Sequence, residues 1–450
     1  MNNLIRSSLW PGISSNSTKL VRSLTDHDFA ERDAYFNRKG FHNHFIHGVY
    51  AAYSLGAQPK TIQRIADALA SYQQPLRPVE KGTPINQSNW NDKQLLGKRD
   101  NYPTYLNYFR EEVDKTKDTA SLLDKYIYSR IANEVGVDML SRFFSGLIHP
   151  IIHLGYALEF EHVDNKREVL AQALAWTATH PSDFSAVLPQ DLWSNPEKEN
   201  AQRKSSLQVY FDVLKDEKYS ANSPDTPTLN HDFPVSATVK SAGGMLLEEA
   251  SHFDLPASDI PKRQDELCRE LAYTAMLMYA SGGYKAGKKF KPEFILVHIL
   301  NSSHFIPFIL HYTPSAINKR LLLSAYFRVI LTVYVSRGRP SLDAEVIKKR
   351  EIPEDETNIW LGIVDDGLKQ DDEHVLKAIR TLAFHDSKYS EDVPPEVSSV
   401  SLDGSIWSRV AYQHINAFKS GSAWSYERPG FEESWANDQV VYDRELGNLM

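Results

Sequence analysis

Apolar residues recur every three to four positions along most of the chain, the spacing of a helix with one buried face. The period predicts helices over 41–55, 59–70, 105–117, 120–134, 137–147, 149–160 and 167–179. It continues around 205–215, 236–251, 265–280, 293–310, 316–336, 371–384 and 405–418. Pro59 suits a first helical turn, where its missing N–H costs nothing. Strand alternation is scarce, and the stretches KGTPINQSN, YSANSPDTPTLNHD and DVPPEVSSVSLDGS mark loops. Internal repeats and long linkers are missing from the pattern. The expected architecture is therefore all-α, a single large helical domain. The Ser/Asn-rich start reads as a flexible segment over 1–24, leaving 25–450 as the helical domain, with 217–235 as a mobile loop or weak boundary.

The most apolar later stretch, Leu321 to Val335, is interrupted by Ser324 and Arg328. It is too short and too polar to span a bilayer and is expected to be a buried helix. The N-terminus carries no apolar run that would serve as a signal-peptide core, so a cytoplasmic protein with no membrane partner is expected. A net charge of −8 gives no basic face, which argues against a nucleic-acid partner. One cysteine, Cys268, excludes an intramolecular disulfide, a Cys-rich zinc site and a Cys-held iron–sulfur cluster. Ser281 to Lys289 nearly spells a phosphate-binding loop. Lys289 stands where a magnesium-binding hydroxyl is needed, however, and the preceding segment has helical rather than strand character. A dinucleotide fingerprint, a nucleophile elbow and a zinc-binding H-E-x-x-H helix are all missing.

The histidines change the picture, because several fall inside apolar helices. His44 and His47 share one face of FHNHFIHGVYAAYSLGA, and His149, His153 and Tyr156 share one face of HPIIHLGYALEF. His298 sits among Ile, Leu and Val, and His374 and Lys377 are three apart. A single buried histidine is more often a hydrogen-bonded core residue than a ligand. On separate helices, however, such side chains can converge on a buried metal site, as they do in helical bundles. Imidazole suits zinc, iron, copper and nickel alike, which leaves the metal open at this point.

An ordered set of landmarks resembles the questin oxidase-like family. They are Asn43–His44, the segment YPTYLNYF at Tyr102 to Phe109, His149 to Ile152, the His298 helix, Tyr334 to Pro340, and Asp372 to Lys377. They cover most of the chain. The resemblance implies oxidation of fungal polyketides, especially anthraquinones, by enzymes described as Baeyer–Villiger-type oxidases without an evident flavin site. It is strongest to anthraquinone ring-cleaving enzymes that hold non-haem iron with four histidines and a carboxylated lysine. Carried over, it implies Fe2+ bound by His44, His149, His298, His374 and a carboxylated Lys377. The substrates would be an aromatic polyketide and molecular oxygen.

The implied ligand set is chemically coherent. An ammonium has no lone pair to offer a metal, whereas a lysine carbamate is anionic and presents oxygen donors. The residues themselves leave alternatives. Lys377 can pair with Glu373 at i−4 as an ordinary helix salt bridge, and Glu373 or Asp372 can supply the carboxylate. His47 and Tyr156 are the candidate catalytic groups, and His153 and Asn301 are candidates for substrate contact or ligand support. Six residues, roughly 240° of rotation, turn His304 away from the His298 face. Tyr102, Tyr105, Tyr108, Tyr326, Tyr334 and Trp407 read as core rather than pocket. Two rival functions remain. One is a metal-free Baeyer–Villiger-type monooxygenase using NADPH, a cofactor the sequence does not indicate. The other is a non-catalytic protein that binds hydrophobic polyketides.

Overall fold

A computed structural model describes residues 10–436, apart from 38, 80–83, 165, 199, 351 and 354–357. Among the described residues the secondary structure is helical, and β pairing is limited to isolated bridges. The segment 1–9, the start of the KGTPINQSN loop and 437–450 lie outside the described residues.

Local chemistry sets many of the helix ends. Ser14 and Ser17 form a reciprocal capping box that starts a helix at Ser15–Glu31. That helix overlaps the segment expected to be flexible over 1–24, because weak apolar periodicity concealed a strong cap. The helix expected from 41 begins only at Phe45–Ser54. Before it, Asn43 accepts from the Phe45 amide at 2.8 Å, its own amide bonds to Ala34, and His42 pairs with Tyr35 in a bridge. The helix expected over 120–134 is broken into Thr119–Leu123, a π-turn at Asp124–Tyr128 and a 3-10 turn at Ile131–Asn133. The Asn133 side chain donates to the carbonyls of Ile127 and Ser129 and so competes with continued helix. Pro307 splits the 293–310 helix into Phe294–Ser303 and Ile306–His311. A short helix at Pro395–Ser399 lies within a stretch expected to be loop. The near-phosphate loop follows the helix Ile260–Gly283 and is a turn, as expected. In the 217–235 segment, Arg428 ties the carbonyls of Pro227 and Thr228 to the body of the fold.

Four helices form a closed ring at the centre. Phe45–Ser54 touches Met139–Glu159 and Glu373–Tyr389, and Phe294–Ser303 touches the same two. Phe45–Ser54 and Phe294–Ser303 are buried at every position, as expected for helices apolar on all sides. Outer helices cover the ring: Glu168–Thr179, Ile260–Gly283, Ala316–Ser336 and Ile406–Lys419. The stretch Phe294–His311 has the length and apolar content to cross a membrane, but 94% of it is buried within this core. The aromatics read as core, Tyr102, Tyr105, Tyr326, Tyr334 and Trp407 among them, are fully or nearly fully buried.

Candidate metal centre

Each helix of the ring delivers histidine to one buried point. His44 caps Phe45–Ser54, His149 lies in Met139–Glu159, His298 in Phe294–Ser303, and His374 in the first turn of Glu373–Tyr389. The ligand atoms of His149, His298 and His374 lie within 4.8 Å of one another, as do those of His44, Glu373 and His374. The Nε2 atoms of His44 and His149 are 2.7 Å apart.

The outer nitrogens explain how these rings are aimed. His44 Nδ1 donates to Glu373 Oε1 at 2.6 Å, His149 Nδ1 to the Gly146 carbonyl at 2.6 Å, and His298 Nδ1 to the Phe294 carbonyl at 2.7 Å. His374 Nδ1 lies 3.0 Å from Glu373 Oε1 and 3.2 Å from Asp372 Oδ1. Every Nδ1 thus faces an oxygen acceptor, and the neutral ring then presents Nε2 as a bare lone pair. Two such lone pairs at 2.7 Å, on His44 and His149, repel unless a cation sits against both. The Nε2 atoms of His298 and His374 have no hydrogen-bond partner among the described residues. Paired outer nitrogens with converging inner ones are the arrangement of metal-binding imidazoles.

Burial first, and neighbouring positive charge second, push His44, His149 and His298 well below the usual imidazole range. That favours the neutral form a metal requires, whereas, against burial, Glu373 and Asp372 raise His374 above its ordinary value, so a metal would displace its Nε2 proton. Burial opposes ionisation of Glu373, yet His374 and Lys377 hold its carboxyl down to about 2. Glu373 therefore serves as an ionised acceptor for two imidazoles on different helices.

Lys377 is 2% exposed and its Nζ has no partner among the described residues. The alternative i−4 pair with Glu373 does not form, because Glu373 is turned to the imidazoles. Burial pulls the amine down to about 8, against the opposing pull of Glu373 and Asp372. A buried, unpaired amine with an appreciable neutral fraction is the form that reacts with carbon dioxide. The residues present therefore fit a divalent cation held by four imidazoles and a carbamate.

The backbone before His149 is unusual. Gly146, Leu147 and Ile148 are consecutive left-handed residues, with φ of 56°, 55° and 65°. Left-handed Leu and Ile each cost roughly 1–2 kcal/mol, and a β-branched residue there is an outlier. The kink separates the segments expected at 137–147 and 149–160 and turns the Gly146 carbonyl onto His149 Nδ1.

His47 Nε2 lies 3.0 Å from His153 Nδ1, whose Nε2 lies 3.0 Å from Gln172 Oε1. Tyr156 stacks on His47 at 4.8 Å with the Arg380 guanidinium 5.3 Å from its ring, and both polar atoms of Asn301 are buried without a partner among the described residues. His304 instead joins Glu159 at 3.1 Å in a separate cluster with Arg380. Residue reasoning missed His42, stacked on His149 at 4.1 Å, and its partner His180. His42 stands two positions before His44, which was the only signal available. His180 and Gln172 gave none.

Residues 41–382 match the questin oxidase-like family, and the chain belongs to it. Among curated relatives, a protein named Baeyer-Villiger oxidase ptaJ from Pestalotiopsis fici is 27% identical over 81% of this chain and 79% of its own length. Two proteins named questin oxidase are also similar. The one from Aspergillus fumigatus is 25% identical over 89% of both chains. The one from Aspergillus terreus is 22% identical over 92% of this chain and 90% of its own.

Proposed function

We propose that this chain is a non-haem iron oxygenase that cleaves a ring of an anthraquinone-like polyketide, with Fe2+ held by His44, His149, His298, His374 and carboxylated Lys377. One observation carries the reading. Four imidazoles from four helices turn bare Nε2 atoms inward beside a buried, unpartnered lysine. The relatives' names support an oxidoreductase, and the family resemblance supports the polyketide substrate.

When bound, iron supplies the one-electron chemistry that makes molecular oxygen reactive. The chain's own groups do the rest. The carbamate would halve the double charge of the ferrous ion, and ionised Glu373 balances the remainder, which lets a buried site hold it. Glu373 also orients His44 and His374. Tyr156 and His47 form one ring stack that would face a flat polycycle, and His47 Nδ1 is its buried polar atom without a partner among the described residues. Asn301 adds a buried donor and acceptor for a carbonyl or hydroxyl, and His153 supports His47.

The relatives named Baeyer-Villiger oxidase favour a second reading, a metal-free monooxygenase that takes two electrons from NADPH. Isotopically labelled oxygen separates the two. The iron reading expects both labelled atoms in the ring-opened product with no stoichiometric loss of NADPH. One labelled atom in product, the other in water, and one NADPH consumed per turnover would establish the monooxygenase instead.

A further inference from the structure

Gln172, in the helix Glu168–Thr179, ends a buried hydrogen-bond chain that reaches His47, whose ring lies 5.3 Å from that of His44. Its Oε1 is 3.0 Å from His153 Nε2, and His153 Nδ1 is 3.0 Å from His47 Nε2. All three residues are buried. An amide oxygen can only accept, and a neutral imidazole has one donor and one acceptor. His153 stays neutral, because burial pulls it down to about 3. Its Nε2 therefore carries the proton and donates to Gln172, which leaves Nδ1 to accept from His47 Nε2. Each tautomer forces the next, and His47 Nδ1 is left as a bare lone pair.

That atom is buried and has no partner among the described residues. Its pattern is the reverse of the four ligand histidines, which use Nδ1 outward and leave Nε2 bare. Trp176 stacks on His153 at 4.0 Å and Tyr156 on His47 at 4.8 Å, so neither ring can turn over without displacing an aromatic neighbour.

We propose that Gln172 and His153 are positioning residues that fix His47 Nδ1 as an obligate hydrogen-bond acceptor, so that the site selects a polycyclic substrate carrying a phenolic hydroxyl at that point. A carbonyl or methyl ether there offers no donor and leaves the lone pair buried and unpaired. His47 does not change its charge in this role. The ligand's identity rests on the oxygenase reading, whereas the tautomer rests on the hydrogen-bond geometry alone.

The test uses the full chain with isotopically labelled histidine nitrogens, read by NMR, and a pair of probes, a hydroxyanthraquinone and its O-methyl ether. In the wild type, His47 Nδ1 is expected to be unprotonated, and the ether to bind roughly 10- to 100-fold more weakly than the phenol. Gln172→Met removes the acceptor at similar volume. It should give mixed His47 tautomers and bring the two probes within about threefold of each other. Gln172→Glu keeps an acceptor and should restore both properties. A purely structural glutamine would leave the discrimination unchanged in folded Gln172→Met, and that result would overturn the proposal. A protonated His47 Nδ1 in the wild type would overturn it too. Because both readouts are taken without turnover, a lack of iron would count against the oxygenase reading and not against this relay.

Discussion

Glu373 accepts from His44 and His374 with a single oxygen and fixes two rings that approach from different helices. Glu373→Gln weakens that acceptor and exchanges a charge for a dipole. It is expected to lower metal affinity about 10- to 100-fold while leaving the helical spectrum intact, as read by competition with a chelator. Lys377→Ala removes the amine proposed to carry the carbamate. Activity should be lost and then partly regained with added acetate or propionate, small carboxylates that fit the space left. At this scale the sequence was unevenly legible. His298 announced itself as a polar ring inside an apolar run. Lys377 did not, because its spacing from Glu373 spells an equally good salt bridge. The turn of Glu373 toward two imidazoles leaves that salt bridge unformed, and that turn depends on helices far apart in the chain.

The left-handed turn at Gly146–Ile148 is the element on which His149 depends. A Cβ added at Gly146 would lie 2.3 Å from the His180 ring and 3.1 Å from His42 Cε1, at a φ of +56°. Gly146→Ala should therefore displace the His42–His180 pair beneath His149. The expected cost is about 1–3 kcal/mol in stability, together with reduced metal content. Thermal unfolding and elemental analysis on the same preparation check both. The break before His149 was legible in the separate segments 137–147 and 149–160, but its left-handed geometry was not. Helix existence followed the apolar period closely, and the misses have local causes. Asn133 draws backbone carbonyls away at 120–134, and Pro307 splits 293–310.

At the scale of the whole molecule, a second buried polar cluster ties the ring together. Glu159 in Met139–Glu159 meets His304 and Arg380, and all three are essentially inaccessible. Burial opposes the charge on Glu159, but Arg380 and then His304 hold its carboxyl down to about 2. A carboxyl depressed in the folded state contributes stability that is present above its unfolded value near 4.5 and is lost as pH falls toward 2. Burial and Arg380 pull His304 down to about 4, so its protonation on unfolding adds acid sensitivity below its ordinary value of 6.5. Denaturant midpoints measured against pH should begin to fall below about 6.5 and keep falling below about 4.5, and Glu159→Gln should flatten the lower part of that slope while lowering stability at neutral pH.

The same ring brings four histidines and one lysine to a point, and elemental mass spectrometry of the purified protein beside Lys377→Ala tests that assembly most directly. About one iron per chain is expected in the wild type and little in the variant. A wild type that holds no metal after anaerobic iron loading, or a variant that keeps its iron, would contradict it.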